Sequence, residues 1–152
     1  VLRLLGRAEK VTDTQRFAQT ISSLQEITES VRDVVMRAYV HVANHHSGLL
    51  ESQIEELDRM SRIVFDVLDL TEETMARKAP PNHDVVASRT RELRAVVHEF
   101  DENQIRRIQD NSSKTRLSIL YYGLNNACLK ISEQALMLLT IFDETFHLEE
   151  NP

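Results

Sequence analysis

The chain has one cysteine, no tryptophan, three glycines and three prolines. A lone thiol cannot form an internal disulfide, so Cys128, set inside an apolar helical pattern, reads as a small buried side chain in a reducing compartment. Glycines this scarce leave no phosphate-cradling loop and no strained Gly-x-Ser-x-Gly turn, and no Cys/His arrangement of a recognisable kind is present. We therefore expect no enzyme. No apolar run nears the ~20 residues that a membrane-spanning helix needs. There is no long basic run either, and a formal charge of −6 disfavours the phosphate neutralisation on which general nucleic-acid binding depends. Nucleic acid is not an expected partner.

What is present favours helices. Turn formers are few, Leu, Ile, Val, Ala, Glu and Arg abound, and 152 residues with 41% hydrophobic content suit one core in one domain. Spacings of three and four predict a first helix over 13–46, its core stripe being Phe17, Ile21, Leu24, Val31, Val35, Ala38 and Val42, with Thr12 and Gln15 as a capping box. Gly48 is expected to close it in the left-handed conformation. A second helix over 51–77 carries Ile54, Leu57, Met60, Val64, Val67, Leu68 and Met75, and "KAPPN" breaks the chain after it. A third, 83–110, carries Val86, Leu93, Val97, Phe100, Ile105 and Ile108. "DNSSK" turns the chain into a fourth, 115–147, with Leu117, Leu120, Leu124, Cys128, Ile131, Ala135, Leu138 and Phe142. Four long stripes with short connections predict an all-α, antiparallel up-down four-helix bundle over 13–147. Residues 148–152 are a tail. The opening 1–12, basic and apolar where the bulk is acidic, suits either a processed terminus or a linker from another part, such as a membrane domain.

Several groups could carry chemistry. His41 and His45 are four apart and share a helix face, which suits two imidazole ligands, yet catalytic zinc usually takes three protein ligands. The plainer reading has His45 closing the core stripe, with His41 and His46 exposed at the negative end of the helix dipole. The acid pairs Glu29 with Asp33 and Asp66 with Asp69 could hold a divalent cation if two helices brought them together; otherwise they are a solvated face. Glu144-x-x-His147 is half of a di-iron bundle motif, and its second half is absent from the sequence. The one basic stretch, "RRIQDNSSKTRLS", places Arg107, Ser112, Ser113, Lys114 and Arg116 at the opening of a helix. That is either an anion site for a group such as phosphate or a helix cap with solvated charges.

"HVANHHSGLLESQIEEL" in the first connection and "RRIQDNSSKTRLSILYYGL" in the last resemble the soluble helical domain attached to PiT-type inorganic phosphate transporters of Bacteroidetes-like bacteria, itself similar to PhoU. The resemblance spans about Thr20 to Phe146. It implies a PhoU-like domain on the cytoplasmic side of the inner membrane, joined in the same chain to a membrane transport part that it regulates or scaffolds through helix-face contact. PhoU-like proteins often repeat a (Glu/Asp)-x-x-x-Asp metal motif; here Glu29 to Asp33 matches, while "LNNACLKISEQ" has Asn125 and Asn126 where further acids would stand. The expectation is thus no cofactor, with a divalent-metal bundle and a signalling bundle unrelated to phosphate as alternatives. Ile27, Val34, Ile119 and Tyr122, beside the main stripes, could furnish a second contact face toward the membrane part or a second copy of the chain.

Overall fold

The computed structural model describes residues 2–77 and 83–150, with side chains for 10–76 and 83–145. Four helices account for nearly all of it: α1 (Leu2–Ala43), α2 (Glu51–Arg77), α3 (His83–Gln109) and α4 (Thr115–Glu150). Among the described residues there is no strand. The expected "KAPPN" break and the 151–152 end of the tail lie outside them. Helix α1 begins at Leu2, so Thr12 and Gln15 fall inside it and the expected capping box does not form. At about 1.5 Å per residue its 42 residues extend about 63 Å.

Helices α2, α3 and α4 all touch one another around a core of Met60, Ile63, Val64, Leu93, Val96, Val97, Phe100, Tyr121 and Ile131, continued by Val67, Val86, Ala135 and Leu139. Burying a leucine such as Leu93 or Leu139 completely is worth roughly 1.5–3 kcal/mol. Helix α4 is the hub, because it alone also carries α1; among the described residues no Cα of α1 lies within 8 Å of α2 or α3. The sequence of α4 fits that position, with buried residues on several sides, from Leu117 and Leu120 through Ala127 to Leu138 and Ile141.

This arrangement overturns the expected core face of α1. Phe17, Ile21, Leu24, Val31, Val35 and Val42 are exposed, and the buried positions are Ser23, Ser30 and His41, with Ile27 and Val34 half-buried beside them. Small residues decide it. Ser30 lies beside Gly123 and Ala127 of α4, where side chains are short enough for two backbones to approach; a Cβ on Gly123 would come within 2.9 Å of Arg37 Cδ. The serine hydroxyl needs no partner across the contact, since Ser30 Oγ donates to the Glu26 carbonyl at 2.7 Å.

A second correction concerns the end that carries the α1–α2 and α3–α4 connections. Ile54, Ile105 and Ile108 are exposed there, as is Met75 farther along α2, while Gln53, Glu56 and Gln104 are buried. Gln53 reaches back to the Leu50 backbone N–H at 2.9 Å, half of a capping box for α2, and donates to Gln104 Oε1 at 2.8 Å. Gln104 in turn donates to Ser113 and Ser118, both at 2.9 Å. Arg107 donates to Gln104 at 3.1 Å and to Glu56 at 2.6 Å, and Tyr121 and Asn103 complete the shell of Glu56. Apart from the Leu50 cap on α2 and the Arg107–Gln104 bond within α3, these bonds link α2, α3, α4 and the α3–α4 connection to one another, so the polar cluster fixes that end in place of apolar packing.

Candidate functional site

The two connections meet. His41, His45, His46 and Ser47 line one wall of an open cavity of about 670 Å³, and Lys114, Thr115, Arg116 and Leu117 line the other. No carboxylate is among these residues, in a chain whose formal charge is −6. Lys114 and Arg116 contribute two fixed positive charges, and the first turn of α4 begins at Thr115, where backbone N–H groups lack intrahelical partners.

Each wall has its own support. At the close of α1, His45 takes a left-handed backbone, φ 53°, which glycine was expected to supply at Gly48; Gly48 itself has no positive φ. The His45 N–H donates to the Val42 carbonyl at 2.9 Å and the His46 N–H to the His41 carbonyl at 3.2 Å, the two bonds of a Schellman ending with histidine in the glycine position. His41 is the buried histidine of the three, and His45 the exposed one, reversing the expected order. The Nε2–H of His41 donates to the Ser47 carbonyl at 2.8 Å, pinning the loop across the helix end. On the other side Asn111 closes α3 with φ 60°, Ser113 N–H donates to the Arg107 carbonyl at 3.0 Å, and the buried Ser113 and Ser118 hydroxyls tie the loop to Gln104.

A hydrogen bond joins the walls, where Arg116 Nη1 donates to His46 Nε2 at 3.2 Å. That bond requires Nε2 to be unprotonated. Loss of hydration, then the charges of Arg116 and His41, hold the His46 pKa below the ordinary value, so at neutral pH it is a neutral acceptor. The arrangement can bind a small anion: two cations, the Thr115 hydroxyl and three histidines line a space at the start of α4 whose lining holds no competing acid.

Of the expected anion-binding residues, Lys114 and Arg116 line this cavity, and Arg107, Ser112 and Ser113 do not. Arg107 is held inside by Glu56, with its guanidinium 5.7 Å from the Tyr121 ring centre. The Ser112 N–H is taken by Asp110 at 2.9 Å, and Ser113 is buried in the glutamine cluster. The histidines were the residues that sequence reasoning did not join to the basic stretch. Their separation in sequence hides the contact, and only the packing of α1 on α4 creates it.

The acid pairs are not brought together. Glu29 and Asp33 lie on α1, Asp66 and Asp69 on α2, helices without contact among the described residues. Asp33 accepts from Arg37 at 2.6 Å, in a groove that Arg32 and Lys130 also line. Asp66 faces Arg89 at 3.9 Å, and Asp69 borders a shallow exposed groove with Glu72 and Glu73. Among the described residues no three His, Cys, Asp or Glu side chains converge as metal ligands, so His41 and His45 also lack a third partner. The His147 side chain, half of the di-iron motif, lies outside those described. No described helix is long and apolar enough to cross a membrane. No protein-family model matches this chain, and no curated protein and no solved structure matches it.

Proposed function

We propose that the chain is a PhoU-like regulatory or scaffolding domain of an inorganic phosphate transporter, with the up-down bundle topology of that family. It acts on the membrane transport part of the same chain by helix-face contact, without catalysis, on the cytoplasmic side of the inner membrane. One observation carries the reading: the two segments that resemble the transporter-attached domain, far apart in sequence, form the two walls of a single acid-free cationic cavity. An oxyanion held there by Lys114, Arg116 and the histidines would draw the α1 end and the α4 start together. Because among the described residues α1 packs on α4 alone, such a change at their shared end would alter the pose of a helix about 63 Å long.

The test is a titration of the chain with inorganic phosphate, and in parallel with sulfate, followed by backbone amide shifts. The expected result is saturable movement largest at residues 41–47 and 113–117 and continuing along the α1–α4 contact, with a Kd of ~1 mM or tighter, abolished by Lys114→Ala with Arg116→Ala. An anion favours protonated His46, so sulfate, whose own charge is fixed over this range, should bind more tightly as pH falls through the histidine region. Absence of saturation, or equal shifts in the double variant, would remove the anion from the account. Sequencing of the encoding reading frame supplies the second check: a membrane transport segment in it supports the assignment, and a kinase or receptor module in its place refutes it.

A further inference from the structure

Helix α1 carries two seams of seven-residue repeat, offset by a single position. The inner seam, Arg16, Thr20, Ser23, Ile27, Ser30, Val34, Arg37 and His41, turns toward α4 and is mostly polar or small. The outer seam, Phe17, Ile21, Leu24, Thr28, Val31, Val35, Ala38 and Val42, keeps the alternating four-and-three spacing without a charged residue. A one-residue offset rotates it about 100° from the inner seam, to the place where a second neighbouring helix would lie. No described helix of this chain is there.

From this geometry we infer that the outer seam of α1 pairs with the same seam of a second copy of the chain. Three observations select that occupant. The residues meet part of the two-stranded coiled-coil rule: one register is all β-branched, Ile21, Thr28, Val35 and Val42, and the other holds Phe17, Leu24, Val31 and Ala38, of which Leu24 is the leucine the rule calls for. The area is sufficient. Exposure of its large apolar residues runs from 45% at Ile21 to 71% at Val42, with Ala38 half-buried, leaving on the order of 700 Å² of accessible surface per helix for pairing, near the ~800 Å² per partner of a stable interface. The flanks lack the row of cations that an anionic lipid surface would require, since Ser22, Gln25, Glu29, Arg32, Met36 and Tyr39 hold one acid and one base. Pairing equal seams about a two-fold axis closes the assembly at two copies.

Self-association is independent of the anion reading and is tested separately from it. Sedimentation of the 152-residue chain over a concentration series should show a dimer at ~10 μM, because seams of this area associate in the micromolar range or tighter. Leu24→Glu with Val31→Glu should make it monomeric with unchanged helicity and with the thermal midpoint of the wild-type chain diluted until it is monomeric, since both positions are exposed in the single chain. Thr28→Cys with Cys128→Ser should give a disulfide-linked dimer under mild oxidation, because Thr28 sits near the seam centre in either strand direction. Gln19→Cys in the same background, on the opposite side of α1, should not. A monomer at every concentration overturns the inference, as does a dimer that survives the double glutamate variant. A monomer whose seam instead binds vesicles of anionic lipid or the membrane transport part also overturns it. In that last case the anion titration of the same protein would still stand or fall by itself.

Discussion

Replacement of Arg107 by leucine should be among the most damaging single changes outside the apolar core, and its cost should depend on pH. Arg107 and Glu56 are an ion pair at 2.6 Å whose side chains keep 12% and 11% of their exposure. Burial opposes the charge on both. The bonds from Arg107, Tyr121 and Asn103 more than offset it at Glu56, whose pKa ends below the ordinary 4.5, and the carboxylate likewise lifts that of Arg107. Removing one partner of such a pair strands the other charge; the residual hydration here puts the expected loss near the low end of the range for buried pairs, about 3 kcal/mol at pH 7. The sign of the pH dependence follows from the depressed pKa. The stability that Glu56 contributes is complete above pH 4.5 and is lost as pH falls through its folded value, because the unfolded chain takes up the proton first. Once Glu56 is neutral there is no anion for Arg107 to serve, so the difference between the two proteins should shrink below pH 4.5. Urea unfolding at pH 7 and at a series of lower values measures both quantities, and Glu56→Gln completes a double-mutant cycle whose coupling should exceed about 1 kcal/mol. A loss under 1 kcal/mol at pH 7, or one that does not vary with pH, would refute the claim that the cluster is held by this charge pair.

His45→Gly should raise stability by up to about 1 kcal/mol, because φ 53° is strained for a side chain and free for glycine, whereas His45→Val should lower it; urea midpoints of the two variants should move in opposite directions. Ser132 is fully buried and its Oγ has no hydrogen-bond partner, so Ser132→Ala should be neutral or stabilise by about 1 kcal/mol in a thermal melt, against the loss usual for a core change. Glu29→Ala with Asp33→Ala should leave the response of the melting midpoint to manganese or magnesium unchanged, since Arg37 and not a second acid pair stands against Asp33. Elemental analysis of chain purified without chelator provides the independent check, and stoichiometric metal lost in that variant would favour the divalent-metal reading.

The helices themselves were legible because long periodic segments need little tertiary information: α3 closes at Gln109 beside the "DNSSK" turn, and the α4 stripe from Leu117 to Leu138 is buried or half-buried throughout. The face of α1 was not. Hydrophobicity pointed to Phe17, Leu24 and Val31, but a helix with one neighbour covers only one side, and close approach to Gly123 and Ala127 favoured the serine seam. Ser23, Ile27, Ser30 and Val34 at seven-residue spacing were a readable sign of a second seam, and an α4 apolar on several sides was a sign of a hub. At the loop end the apolar pattern also misled, since Ile54 and Ile105 face out while Gln53 and Gln104 face in. Glutamines one position from an isoleucine look like the polar edge of a stripe until their mutual bond is seen. The cavity itself joins His41–Ser47 to Lys114–Leu117, a long-range contact that no local spacing encodes.

Everything proposed for α1 depends on which of its two seams faces α4. Thiol-labelling rates of single-cysteine variants in a Cys128→Ser background, at concentrations low enough to keep the chain monomeric, decide it directly. Cysteines at Phe17, Leu24 and Val35 should react at the rate of an unfolded control, and those at Ser23 and Ser30 far more slowly. The reverse order, with the serine positions open and the apolar positions protected, would place the outer seam inside the bundle and contradict the account.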